Sequence, residues 1–168
     1  MTLTQLADKY NSDKHYHGYT YMYDTLFKPI KDSVKNILEI GIQYGYSLNM
    51  WRDYFPNAMV HGVDIVPVEI KDERIKTYFG SQTDIDFLNS LCNTSYDIII
   101  DDGSHLHPDQ AVTLNVLEKS LVKGGYYIIE DIPCGDNWGL WCAPMLCSFV
   151  GMVSPTPNGE QILILRKN

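Results

Sequence analysis

Between Tyr96 and Asp101 the chain reads Tyr-Asp-Ile-Ile-Ile-Asp, apolar on successive rather than alternating positions. A strand of that kind has no solvent face and belongs inside a sheet covered on both sides. Asn36-Ile-Leu-Glu-Ile40, ending at Gly41, Ala58–Ile65 and Tyr126-Tyr-Ile-Ile-Glu130 read as further strands, and Arg74–Phe79 as a shorter, more exposed one. Helical patterns stand between them. Ser47–Tyr54 carries Leu48, Met50, Trp51 and Tyr54 at helical spacing and stops at Pro56. Thr83–Leu91 is a short helix with Thr83 or Ser81 as its N-cap. His107–Leu121 has Pro108 in its first turn and Gly124-Gly125 to end it.

Strands alternating with helices require right-handed crossovers and a mainly parallel sheet. The last strand, Gln161–Arg166, follows a turn-rich Pro155–Gly159 stretch and no strong helix, so it is expected to run antiparallel, at or near an edge. The expected fold is therefore α/β: a Rossmann-like, doubly wound, mostly parallel sheet with an antiparallel strand near the C-terminal end, in a compact single domain. A chain of 168 residues suits one domain. Residues 31–168 form the expected core and residues 1–30 a lid. The stretch from Ala7 to Phe27 reads as too polar and aromatic for a core element; seven of the 12 tyrosines fall within the first 46 residues.

Several function classes drop out on charge and patterning. Thirteen Lys and Arg against 21 Asp and Glu leave a net charge of −8, so the chain has no general attraction for nucleic acid or anionic lipid. No apolar run reaches the ~18–20 residues of a membrane span. The first residues lack a basic stretch ahead of an apolar run, so no signal peptide is expected and the expected location is the cytoplasm. Cys92, Cys134, Cys142 and Cys147 include no CxxC pair and are expected to be reduced thiols, and their spacing does not suit zinc.

Ligands of an open parallel sheet bind outside the carboxyl ends of its strands. Here those ends carry Glu39-Ile-Gly41, Asp64, Gly80-Ser-Gln-Thr-Asp84, Asp101-Asp102 and Glu130-Asp131. Nearly every strand delivers a carboxylate to one rim. In the first turn Gly41 and Gly45 stand four apart with Glu39 just ahead, and that carboxylate repels pyrophosphate but suits a ligand bearing an ammonium. Asp64 ends the second strand, where an acid accepts ribose hydroxyls. A nucleoside with an amino-acid tail and no phosphate fits both, and S-adenosylmethionine is such a molecule. The plainer alternative is a glycine pair used only for close helix–strand packing.

Asp101-Asp102-Gly-Ser-His105 and Glu130-Asp131 make a second constellation. Neighbouring strands lie ~4.8 Å apart, so Asp102 and Asp131 can reach one ion if their strands are adjacent. Hard oxygen ligands beside an open cleft favour Mg²⁺, and His105 just past Asp102 is placed as a general base. The alternative is a helix cap beside a solvated acidic rim. His107 reads as a capping or supporting residue, His61 as structural, and His15 and His17 as lid residues. Ser104 lacks a G-x-S-x-G elbow and is not a hydrolase nucleophile.

Five blocks in order resemble class I S-adenosylmethionine-dependent methyltransferases and, more narrowly, the metal-dependent sugar O-methyltransferases of macrolide biosynthesis and their cephalosporin-hydroxylase-like relatives. They are Asn11–Thr20, Ile37–Gly41 with Gly45–Asn57, Val60–Ile65, Ile99–His105 and Gly124–Asp131. The resemblance implies cofactor contacts from Glu39, Gly41, Gly45, Ser47, Asp64, Ile65, Ser81, Gln82 and Asp101, with Lys14 and Tyr19 on an N-terminal segment folding over the cofactor. It implies Mg²⁺ on Asp102 and Asp131, with Glu130 beside them, and His105 as the base that deprotonates an acceptor hydroxyl. The implied partner is a small-molecule or sugar acceptor, with a homo-oligomer also allowed. Sugar-specific members are longer, and only Pro133–Trp141 and a short helical stretch separate Asp131 from the last strand here, so the acceptor stays open. Two rivals stand beside this reading: a non-catalytic S-adenosylmethionine-binding protein, and an enzyme that breaks down the cofactor itself.

Overall fold

The computed structural model describes residues 1–133, residues 147–153 by their backbone, and residues 159–168. Among these residues seven strands form one sheet: β1 (Asn36–Ile40), β2 (Met59–Asp64), β3 (Ile75–Phe79), β4 (Tyr96–Asp101), β5 (Leu121–Pro133), β6 (Cys147–Val153) and β7 (Glu160–Lys167). Their order is β3-β2-β1-β4-β5-β7-β6. The first five strands pair in parallel, while β7 runs antiparallel to both β5 and β6. The chain reverses direction of winding between β1 and β4, the crevice where such sheets take ligands.

Among the described residues five α-helices cover the strands: α1 (Leu3–Tyr10), α2 (Tyr19–Phe27), α3 (Tyr46–Tyr54), α4 (Ile85–Leu91) and α5 (His107–Leu117). Two apolar clusters sandwich the sheet. On one face Ile37, Ile98, Ile100 and Ile128 pack with residues of α1, α2 and α3; on the other Leu38, Ile40, Ile99, Tyr127 and Ile129 pack with Leu88, Leu91, Leu114 and Leu117. Successive strand residues alternate between these clusters, which is why the strands are apolar at every position. No helix among the described residues is long and apolar enough to cross a membrane.

The N-terminal stretch departs from expectation, because it is a core element. Leu3, Leu6, Ala7, Tyr19, Tyr23 and Phe27 are all buried. Tyr23 stacks on Phe27 at 5.3 Å between ring centroids and meets Trp51 edge-on at 5.4 Å. Burying side chains of this size contributes roughly 2–3 kcal/mol apiece. The polar letters misled because α1 exposes Asp8 and Lys9 while burying Leu3, Leu6 and Ala7, and α2 buries Tyr19, Tyr23 and Phe27 along one side. Thr2 caps α1 through a reciprocal pair with Gln5.

Smaller departures have local causes. Asp84, not Thr83 or Ser81, caps α4, its side chain accepting from Phe87 N at 3.0 Å. The helix from His107 ends at Leu117 and passes through a 3-10 turn, Glu118–Ser120; Gly124-Gly125 lie inside β5, where the register with β4 slips between Tyr96 and Ile98. Strand β6 was not anticipated; it forms the edge, and β7 lies antiparallel beside it, near the edge as expected. The expectations for Cys134, Cys142 and Cys147, for the helical stretch after Trp141 and for the Pro155-to-158 turn lie outside the residues whose side chains are described. Cys92 is a free thiol.

Candidate active site

The register of β1, β4 and β5 sets the site. Ile40 pairs with Asp101 and Asp101 with Ile129, so Glu39, Asp101-Asp102 and Glu130-Asp131 end side by side at one rim. Alternation then sorts them. Glu39 and Glu130 face the α1–α3 layer, whereas Asp101, in line with Ile40 and Ile129 of the opposite cluster, faces α4 and α5.

Under the α1–α3 layer lies a buried cation. Lys14 Nζ sits 2.7 Å from Asp102 Oδ2, 2.8 Å from Glu130 Oε2 and 3.1 Å from Glu39 Oε1. Burial by itself would push this ammonium's pKa down, but Asp102, Glu130 and Glu39 overcome it and hold it well above its usual value. Burial pushes the carboxyls of Glu130 and Glu39 up, against the pull of Lys14. Asp102, also burdened by burial, is carried below the usual carboxylate range by Lys14 and His105. The other Glu39 oxygen accepts from Ser47 Oγ at 2.6 Å and Trp51 Nε1 at 3.1 Å. Tyr23 donates to the second oxygen of Glu130.

Toward solvent, His105 Nε2 stands 3.4 Å from both Asp102 Oδ1 and Asp131 Oδ2. One ligand atom from each of these three residues lies within 4.8 Å of the others. The bond to Asp102 raises the His105 pKa above its ordinary value against the effect of burial. Asp131 is pushed up by burial, opposed by the hydroxyl bond from Tyr19. Both His105 and Asp131 have left-handed backbone, φ 60° and 55°, a conformation that costs about 1–3 kcal/mol and gathers at functional sites. A second trio, His17, Asp131 and Glu160, lies equally close, with His17 Nδ1 3.2 Å from Glu160 Oε2.

On the far face Asp101 is fully buried, and burial pushes its carboxyl up to about 7. Its Oδ1 accepts from Gln82 Nε2 at 3.2 Å and Gly103 N at 3.3 Å, while Oδ2 has no hydrogen-bond partner among the described residues. Gln82 also donates to Thr113 and accepts from Ser104 N at 2.6 Å, pinning the loop that carries His105. The Ser104 hydroxyl is committed to Asp109 at 2.7 Å.

Along the β1–β2 side, Asp64 Oδ2 accepts from Ile42 N at 3.0 Å and Gln43 N at 2.7 Å, and Oδ1 from Val66 N at 2.9 Å. The glycine turn is held against the β2 end by this acid. Gly41 has φ 82°, and a Cβ there would lie 2.0 Å from Asp102 O, so only glycine lets the two loops meet. Gly45 begins α3. Ile65, Phe79, Tyr44 and Tyr46 leave large apolar areas exposed on the turns around Asp64, and Phe79 pairs with Asp64 in register. Ser81 shares a hydroxyl bond with Thr83 on the next turn.

The structure therefore gathers Asp102, His105 and Asp131 into one group and leaves Glu130 out of it, because Lys14 and Tyr23 take both its oxygens. Lys14, Glu39 and Ser47 lie together one layer beneath the rim. Asp101 and Gln82 meet on the opposite face. Sequence reasoning passed over Tyr23, Trp51 and Thr113, which orient these groups. Tyr19 and Tyr23 are one helical turn apart, so their hydroxyls share a face, and that spacing was a readable signal.

No family model matches the chain. Over 152 residues it is 37% identical to the 8-demethyl-8-(2-methoxy-alpha-L-rhamnosyl)-tetracenomycin-C 3'-O-methyltransferase of Streptomyces olivaceus, a match covering 83% of this chain and 38% of that protein. It is 36% identical over 141 residues to the L-olivosyl-oleandolide 3-O-methyltransferase of Streptomyces antibioticus, covering 77% of this chain and 36% of that one. The chain thus spans well under half the length of these curated relatives. Among solved structures, the MycE methyltransferase from the mycinamycin biosynthetic pathway, in complex with Mg and SAH, superposes with a TM-score of 0.80 at 27% identity, covering 97% of this chain and 54% of that one. By sequence and by fold the chain belongs with the class I S-adenosylmethionine-dependent methyltransferases, as a relative of the tetracenomycin- and macrolide-sugar O-methyltransferases.

Proposed function

We propose that the chain transfers a methyl group from S-adenosylmethionine to a hydroxyl of a small molecule or sugar, assisted by Mg²⁺. The observation that carries this reading is the convergence of Asp102 Oδ1, Asp131 Oδ2 and His105 Nε2 at the crevice between β1, β4 and β5. Two carboxylate oxygens on adjacent strand ends are the hard donors Mg²⁺ prefers, so Asp102 and Asp131 would hold it. When bound, Mg²⁺ supplies polarisation of the acceptor hydroxyl and lowers its pKa.

The chain's own groups do the rest. Asp102 and Asp131 fix where the hydroxyl sits, and His105, half-exposed on a loop pinned by Gln82, takes its proton. Asp64 with the exposed Ile65 and Phe79 offers a carboxylate beside apolar surface, the pairing that a ribose and a purine require. Tyr44 and Tyr46 extend that surface across the turn before α3. Holding donor and acceptor in line supplies much of the acceleration, because proximity converts a bimolecular encounter into an intramolecular one.

Incubation of the full chain with S-adenosylmethionine, Mg²⁺ and a panel of deoxysugar glycosides tests the reading. Production of S-adenosylhomocysteine only when an acceptor and Mg²⁺ are both present is the expected result. Tight cofactor binding without turnover on any acceptor identifies a binding protein instead. Breakdown of the cofactor without an acceptor identifies an enzyme acting on the cofactor itself.

A further inference from the structure

Among the described residues from Phe79 to Asp86, across the β3–α4 turn, Gln82 alone is buried. Both N–H donors and the carbonyl of its amide are engaged. Oε1 accepts from Ser104 N at 2.6 Å, while Nε2 donates to Asp101 Oδ1 at 3.2 Å and to Thr113 Oγ1 at 3.1 Å. Ser104 N can only donate, so the amide oxygen faces it and the nitrogen faces Asp101 and Thr113. One residue of the β3–α4 turn thereby ties together the end of β4, the loop after it and α5. That loop lies close against the amide, since a Cβ at Gly103 would stand 2.1 Å from Gln82 Oε1. None of Gly103, Ser104, His105 and Leu106 is itself buried, and His105 holds a left-handed backbone, φ 60°. Such a conformation persists only where its surroundings over-determine it, and the bond to Ser104 N fixes the residue beside it.

We propose that Gln82 is a positioning residue that couples the cofactor site to the catalytic loop: seating the nucleoside end of S-adenosylmethionine on the β3–α4 turn orders, through the Gln82 amide, the loop that presents His105. This inference rests on the reading of the chain as a methyltransferase with that turn in its cofactor site and His105 as its base. The turn is joined to the β2 end, where Gly80 N donates to Asp64 O at 3.0 Å, and Phe79 and Ser81 lie on its outer side. The Gln82 side chain points inward, so what this residue offers a nucleoside is its backbone. A ligand seated there restricts that backbone, and the amide and Ser104 N are restricted with it. With the turn free, the Ser104 bond is made less of the time and His105 relaxes from its left-handed backbone. The ordered loop is then the state the ligand favours, which is the differential affinity that coupling requires. It also means that the base is complete only once the methyl donor is in place.

The test is amide hydrogen exchange of the full chain, read by mass spectrometry with and without S-adenosylhomocysteine, in the parent and in Gln82→Met. Calorimetry sets a saturating concentration for each protein, so a change in affinity does not enter the comparison. Coupling predicts that the ligand slows exchange across Gly103–Leu106 by about tenfold or more in the parent and by less than about threefold in Gln82→Met. The glycine turn, Gly41–Gly45, should be protected in both. A Gln82 that only filled space would alter exchange of the loop equally with and without ligand; a ratio kept at the parent's value therefore overturns the inference. Protection of Gly41–Gly45 alone in the parent also overturns it and leaves the cofactor site standing. If the ligand protects neither stretch of the parent, the cofactor reading fails and the coupling with it. Should Gln82→Met not fold or not bind the ligand, Thr113→Val takes one anchor from the amide and is carried through the same comparison. Protection of Gly103–Leu106 is then expected to fall by about threefold or more, and an unchanged value overturns the inference.

Discussion

The Tyr19 hydroxyl donates a hydrogen bond to Asp131, joining the first turn of α2 to the end of β5 across 112 residues of sequence. Through it the N-terminal segment, packed into the core by Tyr23 and Phe27, reaches the outermost carboxylate of the site. The bond holds Asp131 Oδ1, leaving Oδ2 to face His105. Removing it should therefore disturb the rim more than the fold. Tyr19→Phe is expected to cost about 1–2 kcal/mol of stability. Methyl transfer should fall about tenfold while S-adenosylhomocysteine affinity stays close to the parent's. Thermal melts, steady-state assays and calorimetry check the three parts, and an unchanged rate would show that Asp131 needs no anchoring.

His105 is held at 3.4 Å from two carboxylates, and its raised pKa follows from them. His105→Ala should lower the rate of transfer by ~10²–10⁴, the range for a positioned general base. Cofactor affinity should change less than threefold, because the histidine lies at the β4–β5 end of the crevice and Asp64 at the β2 end. Equal losses in both measurements would sink its role as the base.

Gly41→Ala places a Cβ 2.0 Å from Asp102 O on a residue with φ 82°. Neither loop can yield without moving the carboxylates behind it. We expect a loss of roughly 2–4 kcal/mol, from backbone strain plus overpacking, read from urea unfolding. A variant as stable as the parent would mean that the β1 and β4 loops are not in contact in solution.

His61 is buried on β2, its Nδ1 3.3 Å from the hydroxyls of both Tyr78 and Tyr96. Burial, helped by the charge of Lys76, lowers its pKa from 6.5 to about 4. The fold therefore favours the neutral ring, and the unfolded chain binds the proton more readily. Its contribution is complete above pH ~6.5 and is lost progressively as the pH falls toward 4, by on the order of 2 kcal/mol. Urea unfolding at pH 7.5 and at pH 4.5 should show a smaller difference for His61→Gln than for the parent. Identical pH dependence in the two proteins would place the acid sensitivity elsewhere, with the rim carboxylates as the next suspects.

Local chemistry determined much of this protein. Successive apolar residues at Ile98-Ile99-Ile100 required an interior parallel strand, and turn residues placed Glu39, Asp64, Asp102 and Asp131 at strand ends. Both are properties of neighbours along the chain, so they survive without knowledge of the fold. The tertiary structure alone decided what each carboxylate does. Strand alternation and register sent Asp101 to the α5 face and Glu130 to Lys14, away from the His105 group. The contacts that settle these roles join residues far apart: Lys14 meets Asp102 across 88 positions and Glu130 across 116. No periodicity encodes such a pairing, because it arises only when the assembled sheet and the N-terminal helices exclude water from the same pit. The same packing turned a tyrosine-rich segment that looked fit only for a surface into part of the core.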